Sequence, residues 1–176
     1  RLDAEYYQPK FDDYIELIQN YSQGFKPLKK VCNIRDENFD PLSDEIYNYI
    51  ELSNIGKSGD ITGATEDIGS ELPTRARRIV NTDDVIVSSI EGSLSSCALV
   101  TEDYDNALCS TGFYVINSRE INSETLLVLF KSEPMQNILK QGCSGTILTA
   151  INKQEFQNIP VPLIEKEVQK TIQSLI

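Results

Sequence analysis

The chain has 176 residues, 40% hydrophobic and 24% charged, which suits one soluble globular domain with a core of its own. Its 27 Asp and Glu outweigh 16 Lys and Arg to give a formal net charge of −11, and it holds no histidine, so a Ser-His-Asp triad, a histidine general base and a His-containing zinc site are excluded. The sequence has no apolar run of the ~18 residues needed to span a bilayer and no apolar signal core in its opening RLDAEYYQPK, so the expected location is cytoplasmic.

Tyr7, Phe11, Tyr14, Ile15 and Ile18 recur at helical spacing, with Pro9 suited to a first turn and Gly24 beyond the end. A helix is predicted over residues 8–20, its aromatic stripe forming a core face. A short strand is expected over residues 28–34, followed by an acidic, turn-rich passage over 35–45. Residues 46–55 place Ile46, Ile50 and Leu52 on one side and Tyr47, Tyr49 and Glu51 on the other, the period of a strand. Gly56, Gly59 and Gly63 then enclose Lys57, Ser58 and Thr62 in a loop; the GxxxxGKS/T pattern of a phosphate-binding loop is missing.

Residues 72–100, LPTRARRIVNTDDVIVSSIEGSLSSCALV, concentrate Arg75, Arg77 and Arg78 within four positions of an acidic chain. Asn81 to Asp84 read as a turn, Val85 to Ile90 as a strand of mostly β-branched residues, and Glu91, Gly92, Ser93 and Ser95 as a small polar loop before a second apolar run. If the arginine segment is extended, Arg75 and Arg77 share one face and Arg78 takes the other. Solvation, or salt bridges to the acidic flanks, is the plain alternative for all three.

Phe113 to Ile116 form another strand. Asn122 or Ser123 can cap a helix through Leu126, Leu127, Leu129 and Phe130, and Pro134 opens a second that stops before Gly142. Gly142, Ser144, Gly145 and Thr146 make a small-residue loop, either a simple cap and turn or a cradle of backbone amides for a phosphate. Asn152 with Glu155 caps a short helix, and Pro160 and Pro162 flank an extended edge piece. Ile164, Val168, Ile172 and Leu175 then stripe a final helix, which wants a partner. Cys32, Cys97, Cys109 and Cys143 are widely spaced among apolar neighbours and form no CxxC pair; they read as buried free thiols.

The 72–100 segment, the following STGFYVI, the opening RLDAEYYQPKF, YIELSNIGKSG and the tail SGTILTAINKQEFQNIPVPLIEKEVQKTI together resemble the target recognition domain of type I restriction-modification specificity (S) subunits. The resemblance implies an α+β fold: a twisted, largely antiparallel sheet with peripheral helices and a C-terminal spacer-type helix. It divides the chain into a helical lead-in (1–24), the recognition domain (25–163) and the start of a coiled-coil spacer (164–176). It further implies recognition of one half of a bipartite duplex DNA target, directing methylation and restriction, with no catalysis in this chain and no cofactor. S-adenosylmethionine would sit on a methyltransferase (modification) subunit, consistent with the lack here of an Asn/Asp-Pro-Pro-Tyr/Phe motif.

On that reading Lys57, Ser58, Arg75, Arg77, Arg78, Ser89, Glu91, Ser93, Ser144 and Thr146 are the candidate DNA contacts. Arginine forks suit guanine or phosphate, hydroxyls suit bases or phosphates, and Glu91 suits cytosine N4. Ile164, Val168, Ile172 and Leu175 are the partner-helix contacts, for self-association or a second half; a restriction subunit is a further partner. Half an S subunit, a cut fragment and a domain of a methyltransferase fusion fit equally. Two readings compete. One is a protein-interaction module docking through its terminal helices, which the net charge favours. The other is a small hydrolase using Asp83, Asp84 and Glu91, whose crowding solvation explains better.

Overall fold

The computed structural model describes residues 4–144 and 149–176. In chain order the elements are α1 (Pro9–Gln19), β1 (Phe25–Pro27), α2 (Leu28–Val31), β2 (Cys32–Arg35), β3 (Ile46–Ile50), β4 (Thr65–Ile68), β5 (Ala76–Ile79), β6 (Val85–Ser88) and β7 (Cys97–Leu99). They continue with β8 (Leu108–Ser110), β9 (Phe113–Ser118), α3 (Ser123–Lys131), α4 (Glu133–Cys143), α5 (Lys153–Gln157), β10 (Pro160–Pro162) and α6 (Lys166–Leu175).

The expected α+β architecture is present, but its strands form three sheets. A central sheet has the order β2-β9-β6-β7, an outer sheet β4-β3-β8-β5, and β1 pairs with β10 alone. The pairs are antiparallel except β3 with β8.

The alternation of side chains along a strand explains why the central sheet holds the molecule together. Val85, Val87, Tyr114 and Ile116 pack with Leu126, Phe130, Leu139 and Phe156 of the helices. Their sequence neighbours Ile86, Phe113 and Val115 pack the other way, with Ile50 and Cys109 of the outer sheet. A strand buried on both faces needs an uninterrupted apolar run, and β6 supplies one. Each such side chain contributes about 1.5–3 kcal/mol by leaving water. Tyr114 stacks on Phe156 with ring centroids 4.3 Å apart.

Local signals account for most helix starts. Pro9 opens α1. Asn122 Oδ1 accepts from Thr125 N at 2.9 Å and Asn152 Oδ1 from Glu155 N at 2.9 Å.

Three local expectations change. Residues 28–31 form a helical turn instead of a strand, because Leu28 and Val31, three apart, both reach the core. Gly142 lies inside α4, where a Cβ would collide with Ile151, so it serves packing and not termination. On β3, Ile46 is 64% exposed while Tyr49 is buried with Leu72, Ala76 and Leu108 on the far face of the outer sheet.

Candidate nucleic-acid interface

Arg75 stands just before β5 and is exposed. Its carbonyl accepts from Thr111 N at 2.9 Å, which fixes its backbone against the β8–β9 turn. A Cβ added at Gly112 would meet Arg75 Nη2 at 3.3 Å and Ile90 Cδ1 at 2.8 Å, so the missing side chain lets the guanidinium lie across the turn. Burial pushes the Tyr49 phenol up, while its hydrogen bond to Ser110 and the positive charge of Arg75 act in the opposite direction. Among the described residues Arg75 has no carboxylate partner.

The other two arginines are engaged internally, which corrects the expected shared face of Arg75 and Arg77. The register slips between Ala76 and Arg78 against β8, leaving Arg77 as a bulge residue and breaking the period of two. Arg77 Nη1 donates to Ala76 O at 3.1 Å and its Nε faces Asp40 at 3.7 Å. Arg78 turns inward and donates from Nη1 to Phe113 O at 2.9 Å. Beside it Arg35 pairs with Asp84, a carboxylate only 3% exposed that also accepts from Asn81 N at 2.7 Å and Asn117 Nδ2 at 3.1 Å. Asp84 is a structural anchor, which removes it from any carboxylate chemistry with Asp83 and Glu91.

The remaining candidates divide by exposure. Lys57 and Ser58 are exposed at the tip of a tight turn closed by Gly56 N donating to Asp60 O at 2.8 Å. The turn is seated against α3, since Gly59, at φ +88°, faces Leu127 and its carbonyl accepts from Leu99 N. Leu99 pairs with Val85, at the end of the β6–β7 hairpin away from its serine-rich turn, so Lys57 is not gathered beside Arg75. Glu91 is half-buried and lines a cleft of about 330 Å³ with Ser95, Asn137 and Lys140. Ser93 Oγ is half-buried too, 3.1 Å from Ser88 Oγ, and donates to Ile90 O.

Ser89 and Ser144 are corrected as surface contacts. Ser89 is 8% exposed with its Oγ donated to Gly112 O at 2.9 Å, and Ser144 is buried with its Oγ directed to Lys140 O at 3.4 Å. Both hydroxyls serve backbone carbonyls. Thr146 lies outside the described residues.

Val168 and Leu175 of α6 are exposed, the latter at 79%, and Ile172 is half-buried; Ile164, also half-buried, lies before the helix and not on it, which shortens the expected stripe. The helix is held by a residue outside the stripe. Gln169 is buried, donates from Nε2 to Glu120 O at 3.0 Å and Ile164 O at 2.9 Å, and accepts from Asn122 N at 2.8 Å. The serine-rich turn is braced in the same way: Gln136 Nε2 donates to Leu94 O at 2.9 Å and Lys131 Nζ to Ser95 O at 3.0 Å. No sequence signal marks these residues, because their partners are far along the chain.

All four cysteines are buried and none is in a disulfide, as expected. Burial pushes the Cys32 and Cys109 thiols up to about 12 and that of Cys97 to about 11. Among the described residues no three His, Cys, Asp or Glu side chains gather as a metal site, and no helix is long and apolar enough to cross a membrane.

A sheet framework thus presents short polar turns and an exposed arginine, Arg75, that has no carboxylate partner among the described residues. The description "Type I restriction modification DNA specificity domain" matches residues 23–176, and the chain belongs to that family. The family is non-catalytic. The HsdS subunit from Thermoanaerobacter tengcongensis is 30% identical with a TM-score of 0.75, covering 86% of this chain and 40% of that one. A chain from a structure on complex assembly and conformational transition of the type I R-M system is 29% identical with a TM-score of 0.74 and the same coverage. The type I S subunit from M. genitalium, at 14% identity and a TM-score of 0.52, covers 97% of this chain and 42% of its own and is alike in fold. None of the curated proteins matches. The chain thus spans about 40% of the length of the first two solved relatives.

Proposed function

We propose that this chain recognises duplex DNA sequence-specifically, reading one half of a bipartite target and directing methylation and restriction by a type I restriction-modification complex. The observation that carries this reading is the Arg75 guanidinium: exposed, without a carboxylate partner among the described residues, and laid over Gly112 beside the turn that bears Glu91 and Ser93. Lys57 and Ser58, on a turn away from Arg75, are a separate candidate contact, and Glu91 is suited to accept from cytosine N4. S-adenosylmethionine chemistry belongs on a modification subunit, and the stripe of Ile164, Val168, Ile172 and Leu175 suits a helix from a second half. The relative whose structure concerns complex assembly supports these partners.

Arg75→Ala tests the assignment. Affinities measured across duplexes selected from a random pool should fall by about 1–3 kcal/mol at one base position if Arg75 reads a base, or equally on all duplexes if it holds a phosphate. Unchanged binding on every duplex rejects it.

A second reading, a protein-interaction module that leaves DNA alone, is favoured by the net charge of −11. Salt separates the two, because displaced counterions make DNA affinity fall steeply as salt rises. Reconstitution with a modification subunit, followed by mapping of the methylated adenines, then reads the target directly.

A further inference from the structure

With Arg77 facing Asp40 and Arg78 turned inward, Arg75 alone is a small cationic footprint for a duplex, whose non-specific affinity rests on neutralising several phosphates at once. A second cationic surface lies elsewhere. Two adjoining clefts of about 470 and 320 Å³ share Ser118 and Arg119 and run as one groove from the β2–β9 edge of the central sheet to α6. Lys30 of α2, Arg119 just beyond β9, and Lys166 and Lys170 of α6 line it, with Asn33 and Asn117 between them.

These charges are largely available. Lys30 and Arg119 are exposed and hold no ion pair among the described residues. Lys166 Nζ donates to the Glu120 carbonyl at 2.7 Å. Lys170 meets Glu167 of its own helix at 3.3 Å, both side chains exposed, a pairing that contributes little and is easily exchanged for another anion. Glu120 is the carboxylate lining the groove. Four cations from three parts of the chain thus converge within a protein of net charge −11.

We infer that this groove grips the sugar-phosphate backbone of the same duplex, as a contact blind to sequence. The inference rests on the DNA-recognition reading. A concave surface receives a ridge such as a phosphate strand, whereas base edges are read by elements that protrude into a groove of the DNA. The six residues of β9 separate Arg119 from the Gly112 end, roughly 20 Å at about 3.3 Å per residue. That is little more than half a turn of duplex at about 34 Å per turn, a separation within the span of one DNA molecule.

The test uses the whole specificity protein carrying this chain, assembled with its modification subunit. Binding is measured between about 50 and 200 mM salt on a duplex selected by the protein from a random pool and on a shuffled duplex. The triple variant Lys30→Ala, Arg119→Ala, Lys170→Ala should lose about 0.9 of the log–log salt slope per phosphate contact, alike on both duplexes, with the methylated adenines unchanged. The charge-keeping set Lys30→Arg, Arg119→Lys, Lys170→Arg should retain the slope, which separates charge from folding. A triple variant matching a steep wild-type slope overturns the inference and leaves the DNA reading intact. The same overturning follows if the slope holds while the modification subunit dissociates, since the groove is then a protein dock. A wild-type assembly that ignores both duplexes removes the DNA reading and this inference together.

Discussion

Arg78 and Arg75 stand three residues apart at one edge of the outer sheet, and the fold treats them in opposite ways. Arg78 points between the sheets, donates to Phe113 O, and is felt by the buried Cys109 and Tyr114. Close by, Arg35 is closed off by Asp84 in the same interior. Arg75 points outward over a glycine, and the group that feels it is Tyr49. Equal charge therefore becomes structural where backbone carbonyls or a carboxylate can be reached, and available for a partner where a bulge and a glycine turn it away. A basic cluster in a sequence overstates the cationic surface in proportion to how much of it the core consumes.

The sharpest way to break the contrast is Asp84→Ala. It strands Arg35 and unpairs Asn81 N and Asn117, so urea unfolding should show a loss of about 3–5 kcal/mol. Gly112→Ala attacks the other side. Its methyl meets Ile90 and Arg75, and a cost of about 1–3 kcal/mol is expected, together with weaker DNA discrimination as the guanidinium is displaced. Arg75→Ala should change stability by less than about 0.5 kcal/mol while altering DNA binding. A large stability loss in that variant would put Arg75 in the structural class with Arg78.

The smallest effect at neutral pH is on the interior thiols and phenol. Burial raises Cys109 from its ordinary 9.0 to about 12 and Tyr114 from 10.0 to about 12. Near neutral pH both states keep these protons and stability is unaffected. Between roughly pH 9 and 12 the unfolded chain releases protons that the folded chain retains, so stability falls as pH rises. Urea midpoints at pH 8 and pH 10.5 should show that fall, and a flat profile would mean the interior is wetter than its packing implies.

Much of the fold was legible because its signals are local. Pro9, Asn122 and Asn152 start their helices where expected, and the β-branched run from Val85 announced a strand. The site was less legible. The bulge at Arg77 depends on β8, more than thirty residues later, and a period-two reading cannot contain it. Asp84 read as part of a solvated turn because Arg35 lies 49 positions away. Ser89 read as one of a run of polar loop serines, whereas its hydroxyl is donated to Gly112 O, 23 positions later. Gln169, a polar gap in an apolar stripe, holds α6 through carbonyls and amides that no periodicity reveals.

The pairing of β1 with β10 brings Phe25 opposite Pro162 and Pro27 opposite Pro160, with Gly24 O accepting from Leu163 N. Everything between those short strands is therefore a detour that begins and finishes at a single seam. Exchanging the intervening stretch for that of a relative would leave the two ends meeting. The replacement would also have to supply what Glu120 and Asn122 give Gln169 of α6 and what Glu133 gives Tyr14 of α1, so the seam closes the detour without insulating the flanking helices from it.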